Sequence, residues 1–312
     1  MANNDFIIPM SPIMHSEIPD NPDFTYQVKW DGVRMIAYIN NHNVKLINKR
    51  LNNRTKQYPE LNILSRLIEG SNAIIDGEIM ALLNGKPSFP TVMRRDGTTN
   101  EKNIALLQKK IPILYMVFDI LFLNGQDLRN LPWHERADIL SECLKPQDNI
   151  QIVENFSTGS NLFTAVKAQG LEGIVAKQKD SPYVSGKKHR YWLKIKYRRP
   201  ISCVIGGFTL NNKTVNALLA GVYDEGKLIY IGRVGTGLKA AEWVTLTEQL
   251  TKLETPNCPF SSLPPSVSKI AHFVKPSLTV EVEYSEWTLD MQLRSSSIIG
   301  FGQKKPPECQ LP

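Results

Sequence analysis

The sequence predicts an α+β chain of two domains, a mixed sheet-and-helix part over residues 1–198 and an all-β barrel over residues 199–312. Three observations carry this. Short β-rich runs alternate with helical stretches through the first two-thirds. The pattern breaks at Arg198-Arg199-Pro200. Beyond it, strand-like runs follow at regular spacing with one Ser/Pro loop, Ser261–Ser268, as small barrels do. A chain of 312 residues also exceeds the usual extent of one hydrophobic core.

Tyr26–Lys29, Arg34–Ile39 and Val44–Asn48 are β-rich runs, with a hairpin turn at Asn40–Asn43. Tyr58–Glu69 predicts a helix, because Leu61, Leu64 and Leu67/Ile68 share one face. Ala73–Leu83 is a strand ending in an Asn84-Gly85 turn. Ile111–Leu123 is apolar almost throughout and reads as a buried strand. Trp133–Leu144 is a helix starting near Leu131-Pro132, and Leu162–Gln169 is a second, ended by Gly170. Lys194-Ile195-Lys196 alternates, so both lysines face one side. In the second part Cys203–Thr209, Ala217–Tyr223, Leu228–Val234 and Thr279–Tyr284 are strands.

The composition, 42% hydrophobic and 21% charged, is that of a globular protein. A net charge of +7 favours a polyanionic partner, since Lys and Arg release counterions from phosphates; a merely basic enzyme is the plainer alternative. The four cysteines form no CxxC pair, which argues against a zinc site and for reduced thiols in the cytoplasm. The opening MANNDFIIPM lacks the apolar run of a secretory signal, and no stretch approaches the roughly eighteen apolar residues of a membrane span. The five histidines show no metal or triad spacing.

Lys29-Trp30-Asp31-Gly32-Val33-Arg34 is a KxDGxR match. Alone it is weak, because a strand ending in an Asp-Gly turn with an exposed lysine looks the same. Further pieces follow in order: Asp76-Gly77-Glu78, Phe118-Asp119, Glu172–Lys177 (EGIVAK) and Leu193–Lys196 (LKIK). Together they resemble the covalent nucleotidyltransferases: ATP-dependent DNA ligases, RNA ligases and mRNA-capping enzymes. Gly232–Gly237 (GRVGTG) and Glu281–Arg294 (EVEYSEWTLDMQLR) are similar to the barrel of the bacterial ligase D group, the ligases of non-homologous end joining. The resemblance starts almost at residue 1, so the extra N-terminal DNA-binding domain of larger ligases is not expected.

The resemblance implies an adenylation (nucleotidyltransferase) domain with ATP-grasp-like antiparallel sheets, followed by an OB-fold. It implies an ATP-dependent DNA ligase that seals 3′-hydroxyl/5′-phosphate nicks, and sites by position. Lys29 would be the nucleophile that takes AMP, with Lys194 and Lys196 gripping the α-phosphate. Gln27 would read the adenine edge and Phe118 stack on the base. Arg34 would contact the sugar or the DNA end, and Arg50 would bind phosphate. Glu172 would be the metal-site carboxylate, with Glu78 on ribose or metal, and the metal Mg²⁺ or Mn²⁺. Lys177 joins the nucleotide contacts, with a structural role beside Asp119 as its alternative. A free lysine titrates near pH ~10.4. Lys194, Lys196 and the metal are therefore expected to favour the neutral amine of Lys29.

Seven Lys/Arg fall within residues 187–199. A solvated face is the ordinary reading of such a run. Beside the catalytic strand it predicts a DNA-phosphate track of Lys187, Lys188, Arg190, Arg198 and Arg199, with Arg50 and Arg95 as further DNA contacts. Ku and a separate repair polymerase are partners implied only by the resemblance, and a monomer is expected. Two departures stand out. Gly302 and Lys304 replace an Arg and an Asp of the family's last motif, where Lys305 persists, and this puts self-adenylylation in question. Lys49-Arg50-Leu51-Asn52 stands where the ligase D group has Ser-Arg-Asn-Gly. An RNA ligase or capping-type enzyme, and a non-catalytic DNA-end-binding module, remain the alternatives.

Overall fold

The computed structural model describes residues 6–288 and 290–311. Residues 1–5 of the opening segment, and Leu289 within the stretch 281–294, lie outside the described residues. The chain divides into two compact units, Met1–Tyr197 and Arg198–Pro312.

The first unit opens with β1 (Ser11–Met14), β2 (Phe24–Val28), β3 (Val33–Asn40) and β4 (Asn43–Asn48). The β3–β4 hairpin turns through Asn41 at φ 50°, a left-handed conformation that Asn tolerates. Next come the short helix α1 (Leu64–Leu67), β5 (Asn72–Leu83), β6 (Lys86–Pro87), α2 (Phe89–Asp96) and α3 (Glu101–Lys110). Asn100 starts α3, its side-chain oxygen accepting from the backbone N–H groups of Lys102 and Asn103. There follow β7 (Ile113–Leu123), β8 (Gln126–Asp127), α4 (Trp133–Cys143), β9 (Ile150–Ile152), α5 (Gly159–Gln169), β10 (Gly173–Gln178) and β11 (Lys188–Lys196).

These strands form two sheets. The larger has the order β4-β3-β5-β7-β8, with β6 on β5 and β9 on β7. The smaller has the order β1-β11-β10-β2. The continuous apolar run in β3 follows from burial on both faces. Met35, Ala37 and Ile39 pack with Leu61, Leu64 and Leu140, while Ile36 and Tyr38 pack with Met10, Tyr183 and Trp192. The smaller sheet rests on α5 through Tyr26, Ile174, Leu193 and Ile195 against Leu162 and Val166.

The expected helix over residues 58–69 is corrected. Pro59–Ile63 is a 3₁₀ segment, and only Leu64–Leu67 is α-helical. Leu61, Leu64 and Leu67 are buried as expected. Their spacing of three is the 3₁₀ period, in which i and i+3 eclipse.

In the second unit every strand pair is antiparallel. It contains β12 (Arg199–Asn211), β13 (Thr214–Asp224), β14 (Lys227–Val234), α6 (Ala240–Thr251), α7 (Pro265–Ser268), β15 (His272–Phe273), β16 (Thr279–Tyr284), β17 (Glu286–Trp287), β18 (Leu293–Arg294) and β19 (Ser297–Phe301). The main sheet has the order β14-β13-β12-β16-β19, with β15 on β12, and β17 pairs with β18. Asn212-Lys213 and Glu225-Gly226 turn with positive φ at both positions, the two-residue hairpin geometry that matches strand twist. Leu246 and Leu250 of α6 join the core of Phe208, Leu218, Val280 and Val282.

Candidate active site

A pocket of about 500 Å³ lies in the first unit, walled by both sheets. The smaller sheet contributes Gln27, Lys177, Lys188, Trp192 and Lys194, and the larger contributes Arg34, Glu78 and Phe118. The loop after β4 adds Lys49, Arg50, Asn52 and Arg54, and α2 adds Phe89, Met93 and Asp96. With Lys29, the lining holds eight Lys/Arg side chains against the two carboxylates of Glu78 and Asp96, a setting for a polyanion.

Strand register places the nucleophile candidate. Val28 pairs with Ile174 across β2 and β10, and the backbone N–H of Lys29 donates to Gly173 O at 2.9 Å. On the other side of β10, Gly173 pairs with Lys196 of β11. Glu172, one residue before β10, therefore lies between the two lysines. Lys29 Nζ donates to its Oε2 at 2.6 Å, and Lys196 Nζ reaches its Oε1 at 2.5 Å. Two glycines permit this. A Cβ on Gly32 would lie 2.2 Å from Ile79 O, and one on Gly173, at φ +152°, would lie 2.2 Å from Ile195 O. Lys194, two residues before Lys196, reaches the pocket itself.

Among the chain's own groups the carboxylates, rather than Lys194 and Lys196, decide the charge of Lys29. Burial pushes its pKa down, but Glu172, Glu78 and Asp31 outweigh burial, and the pKa is raised. Lys29 is thus an ammonium in this state. Glu172 shows the converse: burial pushes it up, yet Lys29 and Lys196 carry it below the usual carboxylate range. Lys194 is lowered by burial and then by Lys196, Lys29 and Lys188. Glu78 is pushed up to about 7 by burial, against the pull of Lys29 and Arg34.

The other expected residues divide. Gln27 is buried in the wall, and its Nε2 donates to Asn155 Oδ1 at 2.7 Å, which leaves its carbonyl oxygen as an acceptor. Arg50 is exposed on the pocket rim. Phe118 lies on the wall, with Arg34 Cζ 4.4 Å and Lys177 Nζ 4.6 Å from its ring centroid. Arg34 lines the pocket too, with two of its three guanidinium nitrogens engaged. Nε and Nη2 donate to Asp76 Oδ1 and Oδ2 at 2.5 and 2.6 Å, and Tyr183 donates to the same carboxylate. Only Nη1 makes no hydrogen bond among the described residues, so it is the nitrogen left for the expected contact to sugar or DNA. Lys177 is buried, donates to Phe118 O at 3.0 Å, and sits 4.3 Å from the Trp192 ring centroid. Burial lowers its pKa to about 7, against Asp119. These contacts favour the structural role, as does the buried two-point pairing of Asp119 with Arg136.

One expected DNA contact, Arg95, is corrected, and a second, Arg198, has a carboxylate partner. Arg95 is 2% exposed and holds Glu60, Gln57 O and Ile111 O, so it anchors α2. Arg198 is held by Glu283 at 2.5 Å, because β12 and β16 pair there. Lys187, Lys188 and Arg190 are exposed. The sequence reading missed Trp30, Arg54 and Asp96 on the pocket wall. Arg54, four residues after Arg50, carried the nearer signal; Asp96 reaches the site only through the fold of α2.

Among the described residues, no group of three or more His, Cys, Asp or Glu is placed to hold a metal. Glu172 and Glu78 both act electrostatically on Lys29. Such a sparse carboxylate set fits a hydrated divalent ion that completes its shell with substrate phosphates.

Each unit is matched by a family of known sequences, and the chain belongs to the ATP-dependent DNA ligase family. The family described as ATP dependent DNA ligase domain matches residues 11–196, and the ATP dependent DNA ligase C terminal region matches residues 211–305. The chain is 32% identical over 291 residues to the multifunctional non-homologous end joining DNA repair protein LigD of Mycobacterium tuberculosis, covering 91% of this chain and 37% of that protein. It is 30% identical over 312 residues to a probable DNA ligase of Dictyoglomus turgidum, covering 88% of this chain and 52% of that one. The chain thus spans about a third to a half of these relatives. A solved structure of mycobacterial DNA ligase D complexed with ATP and MES aligns with TM-score 0.56 at 29% identity, covering 99% of each chain. The fold is accordingly a nucleotidyltransferase domain followed by an OB-fold-type domain. Among the described residues, no helix is long and apolar enough to cross a membrane.

Proposed function

We propose that this chain is an ATP-dependent DNA ligase that seals nicked or broken duplex DNA through a lysyl-AMP intermediate on Lys29. One observation carries the reading: Lys29 sits on a cation-rich pocket with Glu172 bridging it to Lys196. The Lys29 amine attacks the α-phosphorus, forming the N–P bond as the α–β P–O bond breaks and pyrophosphate leaves. AMP then passes to the 5′-phosphate of the nick, restoring the amine. Attack by the 3′-hydroxyl forms the phosphodiester and releases AMP.

The chain's own groups suit these steps. Lys194 and Lys196 are fixed on one strand face, where they offset charge developing on the phosphoryl oxygens. The Gln27 carbonyl can accept from the exocyclic amine of adenine. Glu172 and Glu78 are the residues that would hold Mg²⁺ or Mn²⁺, which supplies Lewis-acid charge at the phosphates and draws carboxylate charge away from Lys29. Lys29 must lose a proton before it can attack, so weakening the Glu172 contact is the enabling event. The end-joining name of the LigD relatives supports a role in joining broken ends, and the resemblance alone suggests Ku and a separate repair polymerase as partners.

The test uses the full chain with α-labelled ATP or GTP, followed by nick sealing. Label from ATP in an acid-labile adduct, absent in Lys29→Ala, is expected. Label from GTP alone would point to a capping-type enzyme. DNA binding with no adduct would point to an end-binding module. Equal sealing by wild type and Lys29→Ala would end the proposal.

A further inference from the structure

We propose that Arg54 is a phosphate-binding residue of this pocket, taking the triphosphate tail of the nucleotide or the phosphate of a DNA end. This rests on the reading of the pocket as the nucleotide and DNA-end site. Arg54 enters from the loop after β4, and its side chain is 24% exposed on the pocket wall.

The way it is held differs from its neighbours. Arg34 grips Asp76 with two nitrogens, Arg136 grips Asp119 with two, and Arg95 touches both oxygens of Glu60. Each of those guanidiniums holds its carboxylate through two nitrogens and also donates to a backbone carbonyl. Arg54 instead donates only Nε, at 3.1 Å, to Asp96 Oδ2. Its two terminal nitrogens make no hydrogen bond among the described residues.

The anchor is firm. Asp96 is 4% exposed, and its Oδ1 receives the hydroxyl of the fully buried Tyr58 at 3.2 Å. The Arg54 backbone is fixed as well, its N–H donating to Leu46 O at 2.8 Å. A planar fork tethered at Nε, with both terminal N–H₂ groups unused, matches the geometry in which arginine takes a phosphate in two-point fashion. The surrounding excess of cations favours the same ligand. The fork's fixed attachment reduces the side-chain entropy that binding would otherwise remove.

The test compares Asp96→Asn with the double variant Asp96→Asn/Arg54→Gln in the full chain. Neither leaves a buried carboxylate without its cation, and the pair differ only in the guanidinium. Each is titrated with ATP, with AMP, and, without nucleotide, with nicked duplexes carrying a 5′-phosphate or a 5′-hydroxyl. The double variant is expected to lose about tenfold in affinity for ATP but not AMP, or for the 5′-phosphate nick but not the 5′-hydroxyl nick. The first outcome assigns the triphosphate, the second the DNA phosphate. Equal affinities of the two variants for all four ligands overturn the proposal. So does a loss of equal size for all four, which is the mark of a structural role. Arg54→Lys in the wild-type background retains a cation beside Asp96 and removes the fork, so it should show the same selective loss. Wild type that binds neither nucleotide nor nick would sink the ligase reading instead, so the two failures are distinguishable.

Discussion

Lys29 and Glu78 are set against each other by burial. Lys29 is kept charged by three carboxylates, and Glu78 is pushed up to about 7 because it lies in the pocket wall. Both groups must deprotonate for the chemistry proposed above, one to attack and one to hold metal. The rate of adduct formation should therefore climb as pH rises through 7 and keep rising on the alkaline side. A single-turnover pH profile checks this, and a rate that falls above pH 7 would count against it. Stability should move the other way. Unfolded, Glu78 titrates near pH ~4.3; folded, it holds its proton up to about 7, so the native state binds more protons between these values. Its contribution is therefore lost as pH rises through that window. Glu78→Gln removes the slope. It should raise stability at pH 8 by about 1–3 kcal/mol relative to wild type, with little change at pH 4, while slowing adduct formation. Urea unfolding at the two pH values measures the difference.

At the scale of elements, α2 shows the difference between a surface cation and an anchor. Arg95 stands in the last turn of α2, beside an exposed Arg94, and the pair looks like a basic surface patch. In the fold it crosses to Glu60 and to the carbonyls of Gln57 and Ile111. Arg95→Ala leaves a carboxylate and two buried carbonyls short of a donor. It should cost about 3–5 kcal/mol in chemical denaturation, with DNA affinity of the folded protein unchanged. Much of the strand architecture was legible, since runs such as Ile113–Leu123 and Thr279–Tyr284 are apolar or alternate cleanly. Helices α2 and α6 were not. Phe89–Asp96 is eight residues with a proline at its start, too short to display a period, and Ala240–Thr251 is polar and β-branched enough to pass for loop. In the candidate site, residues in ordered motifs could be placed: Lys29, Glu172, Lys194 and Lys196. Their charge states could not, because the raised pKa of Lys29 depends on which carboxylates the register of β2, β10 and β11 brings beside it.

Across the whole molecule, the net charge of +7 is useful to a DNA-binding protein only where cations are not already neutralised. By that criterion the basic run is uneven. Arg198 is occupied by Glu283, and Arg95 is inside the core. Lys187 and Arg190 are exposed, and they flank Lys188, which touches the pocket lining. Affinity for duplex DNA should fall linearly on a plot of log K against log salt, with a slope set by the number of phosphates neutralised. Each true phosphate contact adds roughly 0.9 to that slope. Lys187→Ala/Arg190→Ala should therefore flatten it by about 2 while leaving the labelled adduct from ATP intact, because neither residue reaches the nucleotide pocket. Arg198→Ala should leave the slope unaltered, since removing one member of an ion pair takes no cation from the DNA. A salt titration by fluorescence anisotropy separates the two variants. If Arg198→Ala flattens the plot as much as the double variant does, Glu283 gives up its partner when DNA binds, and the basic run acts as one track after all.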